Sequence, residues 1–159
     1  MRHLKFTITI LISFFFLNSC SKEEDGLPCP QTENISMKIN GEAMQFRAMG
    51  WGIGQDETLE LQIAAGVFSP EHNSWTISLK LPYKKTGNNI INELHYSRVN
   101  NSTTLQGYFE PGDFQSQVTV NTKNCVSLTF SGTIVIDGNE IVITDGIINY
   151  VYPKPFGSF

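Results

Sequence analysis

The chain has little of what most functional signatures are built from. Its 159 residues include three cysteines and three histidines, and they form no Cys-x-x-Cys or His-x-x-x-His element of the kind that converges on zinc. No acidic residues fall at the spacing of an EF-hand loop, with Asp56, Glu57, Glu60, Asp113, Asp137 and Asp145 scattered instead. There is no Gly-x-Ser-x-Gly elbow for a serine nucleophile. The glycines of "GWGIG" at 50–54 lack both the Gly-Lys-Ser/Thr ending and the following helix that a phosphate loop needs. These absences leave no metal, no cofactor and no catalytic residue to assign. His72 and His95, the two histidines downstream of the N-terminal segment, read as solvated side chains.

Two further absences concern shape. No segment repeats its apolar residues at the helical period, and the longest apolar run, Phe6 to Leu17, is about 12 residues against the roughly 20 that a membrane-spanning helix requires. That run follows Arg2 and Lys5 and ends in Leu17, Asn18, Ser19 and Cys20, the three-part pattern of an export signal. The last four residues resemble the lipobox of bacterial lipoproteins. The resemblance implies a signal peptide over 1–19, and a mature chain beginning at Cys20 with lipid on that cysteine. Acyl chains hold a protein to a bilayer at about 0.8 kcal/mol per buried CH₂, so the domain itself needs no apolar face.

Basic residues are scarce as well. Without Arg2 and Lys5 the chain has nine Lys and Arg against fifteen Asp and Glu, a net charge of −6. Nucleic acid and docking through a polybasic patch on anionic lipid are thereby excluded as partners. Directly after Cys20, "SKEED" clusters Glu23, Glu24 and Asp25. Its plain reading is the start of a solvated tether over 20–34, with Pro28 and Pro30 resisting regular structure. The run also resembles the signal that sends Bacteroidota lipoproteins to the outer face of the outer membrane. The expected location is therefore the outer membrane at the cell surface, with its periplasmic face as the alternative.

Cys29 and Cys125 are an even pair in a chain expected to leave the cytoplasm, and form a candidate disulfide. Closing so long a loop would stabilise the fold by up to about 4–5 kcal/mol on the chain-entropy account. The alternative is two separate thiols, with Cys125 simply buried.

From residue 35 to 159 the chain reads as one domain of alternating strands. Ile35, Met37 and Ile39 alternate with polar neighbours up to Asn40-Gly41, a strong hairpin signal, and a return arm follows through Met44, Phe46 and Ala48. "GWGIG" interrupts the pattern. Leu59, Leu61 and Ile63 then mark one strand, and Trp75, Ile77, Leu79 and Leu81 a second that ends at Pro82. The stretch from Lys84 to Thr104 shows one short strand around Ile90 to Tyr96. "LQGYFE" and "QSQVTV" flank a turn at Pro111-Gly112. "CVSLTFSGTIVI" and "EIVITDGIINYVY" form the clearest pair, around Asp137-Gly138-Asn139, with Asp145-Gly146 as a β-bulge. About eight or nine strands at this spacing predict an all-β fold, either an antiparallel β-sandwich or a partly closed barrel.

Both ends of that domain resemble the uncharacterised small lipoproteins of Bacteroidota, a flavobacterial family with a domain of unknown function. The likeness rests on "MKINGEAMQFRA", on Thr129 to Gly132 and on Ile143 to Gly146. It implies an exported lipoprotein with a β-sheet fold and carries over no catalytic residue.

Function is therefore expected to lie in binding. The membrane is a partner through the lipid on Cys20, and the further ligand is a glycan or another envelope protein. Trp51, between two glycines, is the candidate ligand contact, because an exposed indole stacks on sugar faces and anchors protein partners. Trp75, in phase with Ile77, belongs to the core. A lipocalin-like carrier of a small apolar ligand is the alternative, and would need an apolar cavity inside a barrel. An unrecognised hydrolase comes third.

Overall fold

Alternating side chains and type I′ turns produce a two-layer structure. In a computed structural model, which describes residues 28–66 and 73–157, the strands are β1 (Asn34–Ile39), β2 (Glu42–Gln45), β3 (Arg47–Ile53), β4 (Thr58–Gly66), β5 (Ser74–Pro82), β6 (Gly87–Asn88), β7 (Glu93–Asn100), β8 (Thr103–Phe109), β9 (Phe114–Asn121), β10 (Cys125–Ile136) and β11 (Asn139–Val151). The signal segment, Cys20, the acidic run and His72 lie outside the described residues.

One sheet has the order β2-β1-β11-β10-β9-β6 and the other β3-β4-β5-β7-β8, with every pairing antiparallel. They face each other as a sandwich and do not close into a ring, since β2, β6, β3 and β8 remain edges. This settles the choice between sandwich and barrel. Among the described residues eleven strands replace the expected eight or nine, for two reasons. The pair Gly87–Asn88 is a two-residue edge strand, and the return arm after Asn40-Gly41 divides at Phe46.

Phe46 marks the passage from one layer to the other. Its amide donates to the Ile35 carbonyl at 2.8 Å, closing β2 against β1, and the next residue begins β3 in the opposite sheet. The period-two pattern continues without a break across this switch, because Met44, Phe46 and Ala48 all pack against the core. "GWGIG" is likewise strand rather than interruption as far as Ile53. Met49 is an extra residue in β3 between Ala48↔Ile63 and Gly50↔Gln62, so this edge strand is bulged.

The facing surfaces supply one core, with Leu59, Leu61, Ile63, Ile77, Leu79, Leu81, Leu94 and Tyr96 from one sheet and Met37, Val118, Leu128, Ile143 and Ile148 from the other. Their mutual burial is the main stabilising term. Both long hairpins depend on turn residues at positive φ, with Asn40 at 51° before Gly41 at 84° and Asp137 at 50° before Gly138 at 77°.

Two residues of β11 lie opposite one of β10 between Phe130↔Gly146 and Gly132↔Ile143. Asp145, at φ 53°, is within that insertion. Thr119 is an extra residue in β9 against β10. Such bulges bend strands as long as β10 and β11.

Cys29 and Cys125 are joined by a disulfide with a Cα–Cα distance of 5.8 Å and a sequence separation of 96. The bond fastens the segment ahead of β1 to the first residue of β10. Nearby, the Tyr152 amide donates to the Asn124 carbonyl and the Phe156 amide to that of Lys123, so the C-terminal segment folds over the same corner.

Candidate functional site

A groove of about 850 Å³ lies across the outer face of the six-stranded sheet. Alternation in β9 turns Phe114, Ser116 and Val118 inward, leaving Gln115 and Gln117 outward. Pairing then continues the outward row through Thr129 to Ile147. Asn88 pairs with Gln117 at the far edge.

Six uncharged side chains of the groove, Asn88, Gln115, Gln117, Thr129, Ser131 and Thr144, make no hydrogen bond to the protein among the described residues. Asn89 is already committed, since its Oδ1 accepts from the Ser116 amide at 2.8 Å. The one charged side chain of the groove, Asp145, is paired with Lys38 Nζ at 2.8 Å. Hydrogen bonding to Asp145, and then its charge, hold the Lys38 ammonium above the usual lysine range. The groove thus combines unspent amides and hydroxyls with a neutralised charge. Phe130 is the only aromatic residue in its lining and is buried, so a ligand there would be held by hydrogen bonds rather than by stacking.

The outer face of the other sheet has a different chemistry. Lys80 lies between Glu93 at 3.4 Å and Glu60 at 4.0 Å, a cross-strand charged row. Hydrogen bonding to Glu93, and then its charge, raise the Lys80 pKa; desolvation opposes them, and the charges of Glu60 and Tyr108 add less. His95 and Tyr108 stack beside this row with centroids 4.6 Å apart, and Tyr108 is 58% exposed.

Trp51 borders a trough of about 440 Å³ on that side, together with Gly50, Gly52, Glu60, Gln62 and Lys80. It is 37% exposed. Opposite Leu61 in the register, its ring turns inward and meets Tyr150 of the facing sheet edge-on at 5.5 Å. The indole therefore covers the open side of the sandwich and leaves about a third of its surface to solvent. Tyr150, Tyr152, Phe156 and Tyr83 extend this contact as a chain of aromatic neighbours. Trp75 is half-buried against the core.

Among the described residues no three His, Cys, Asp or Glu side chains converge in a way that could hold a metal ion. The groove residues escaped the sequence reading, although a signal was present. The polar positions of "QSQVTV" and "SLTFSG" carry Gln, Ser and Thr without a charge, and strand pairing alone reveals that they share one face. Comparison of the chain with protein-family models, with curated proteins and with solved structures returned no match.

Proposed function

We propose that this is a lipid-anchored, noncatalytic binding module of the cell envelope, and that the groove across the six-stranded sheet takes an uncharged polar ligand, best a glycan chain. The observation that carries this reading is the row of six neutral hydrogen-bonding side chains in the groove with no hydrogen-bond partner among the described residues. Polar groups that fold without spending their hydrogen bonds can exchange water for ligand hydroxyls at little cost. The anchor on Cys20 and display at the outer membrane rest on the export pattern and the acidic run of the sequence. The carrier alternative loses ground, because the two sheets meet through the side chains of the core rather than around a cavity of a barrel.

A glycan-array screen of the mature chain, made soluble by Cys20→Ala, tests this. Neutral glycans should bind, and the double variant Gln117→Ala, Thr129→Ala should lose that binding while its melting temperature stays within a few degrees of the parent. Binding that survives the double variant, or that selects charged glycans only, would reject the groove as the site. Intact mass of the native protein tests the anchor separately, through the acyl chains expected on Cys20.

A further inference from the structure

Arg98 differs from the two paired lysines. Lys38 and Lys80 are paired with carboxylates, whereas Arg98 lies on the core-side face of β7, level with Trp75 of β5 and Leu105 of β8. It is half-buried, with its guanidinium carbon 5.5 Å from the centre of the Trp75 ring. Its Nε is buried without an acceptor among the described residues. Among the described residues no carboxylate comes within 4.0 Å of it. The other two guanidinium nitrogens make no hydrogen bond to a described residue.

A partly desolvated guanidinium resting on an indole, with two donors unspent among the described residues, is prepared for a planar oxyanion. Arg98 forms part of a cavity of about 400 Å³ with Asn100, Asn101, Thr103, Leu105 and Asn139. Asn139 spends its amide nitrogen on the carbonyls of Ile136 and Asp137, which leaves its oxygen as an acceptor. Asn100, Asn101 and Thr103 make no hydrogen bond through their side chains among the described residues. The lining holds one positive charge and several neutral hydrogen-bonding groups.

We propose that this cavity binds a sugar acid, a carboxylate carried on a hydroxylated body. The carboxylate is taken by the two Nη groups of Arg98. The amides of Asn100, Asn101 and Asn139 and the hydroxyl of Thr103 meet the sugar hydroxyls, with Leu105 as the apolar wall. A single guanidinium balances a monocarboxylate and falls short of a phosphate dianion, and the volume is within the range of small-molecule sites. The site lies apart from the neutral groove and does not depend on that reading.

The test is a titration of the full mature chain with D-glucuronate at constant ionic strength, read by ¹⁵N NMR at the Arg98 Nε–H and the Trp75 indole N–H. D-glucose and inorganic phosphate serve as parallel arms. A saturable shift with glucuronate is expected, with little response to glucose or phosphate. Arg98→Gln and Arg98→Lys should each weaken it by about tenfold or more, since both remove the paired donors of a charge-assisted contact. Arg98→Lys keeps the charge and guards against misreading a folding defect. The assignment is overturned if glucuronate gives no saturable shift, if phosphate binds equally well, or if Arg98→Lys binds like the parent.

Discussion

Gly146 of β11 sits directly opposite Phe130 of β10, so close that a Cβ on the glycine would lie 2.6 Å from the Phe130 carbonyl oxygen and 2.9 Å from its ring. Neither the backbone nor a packed ring can yield cheaply. Gly146→Ala should therefore destabilise the protein by about 1–3 kcal/mol, as overpacking does elsewhere, and Gly146→Val by more. Urea denaturation decides it, and an alanine variant as stable as the parent would contradict the close approach.

The bond between Cys29 and Cys125 closes a long loop in the unfolded chain. Its loss should lower stability by up to about 4–5 kcal/mol on the chain-entropy account. Cys29→Ala and the chemically reduced parent should show the same fall in urea midpoint, because Cys29 is only half-buried and leaves the core intact. A loss confined to Cys125→Ala would point instead to packing around that fully buried residue.

Tyr152 is buried, and its hydroxyl has no hydrogen-bond partner among the described residues. Desolvation is the first cause that raises its pKa, and the neighbouring Tyr83 and Tyr150 add to it. A phenol whose folded pKa exceeds its unfolded value contributes stability that is complete below the unfolded value, near 10.0, and falls as pH rises above it. Unfolding free energy should thus decline above about pH 10, where the unfolded chain releases the proton first. Tyr152→Phe should flatten that decline and, near neutral pH, should be neutral or stabilising by about 1 kcal/mol, since it removes an unsatisfied buried hydroxyl. An unchanged alkaline slope would shift the effect to Tyr83, Tyr96 or Tyr150, all of which burial pushes upward.

Trp51 joins the two sheets through its edge-on contact with Tyr150. Trp51→Ala should cost roughly 1–3 kcal/mol, combining partial loss of apolar burial with loss of an aromatic pair. Trp51→Phe should recover most of it. Thermal denaturation reads this directly. If Trp51→Ala melts with the parent but loses glycan binding, the indole acts as a ligand contact rather than as a cover for the sandwich edge.

The turns and the longest strands were legible because their chemistry is local. Asn40-Gly41 and Asp137-Gly138 need no tertiary context to prefer positive φ, and the alternation of Trp75, Ile77 and Leu79 already separates the two faces of a strand. The layer switch at Phe46 was hidden, because a chain that crosses between facing sheets keeps its inward residues inward and so leaves the period undisturbed. "GWGIG" looked like a loop because glycine is depleted in strands, yet at a bulged edge with open space beside Gly52 it is tolerated. Neither candidate site could be read in advance. The groove depends on the register of β9, β10 and β11, and the cavity at Arg98 brings Asn139 from the opposite sheet. One clue to Arg98 was available, since it falls in phase with the inward residues Leu94 and Tyr96.

The position of β1 between β2 and β11 has a consequence for how the protein comes into being. The first of the described strands finds its longest partner only in the last one, so a chain still lacking residues 139–151 can pair β1 with β2 alone. Six-stranded sheet and sandwich core must both wait for the C-terminus. With so many non-local pairings the search should be slow compared with that of a helical bundle of similar size. The native state is thus withheld until synthesis ends, a useful property in any chain that must pass through a membrane before it folds.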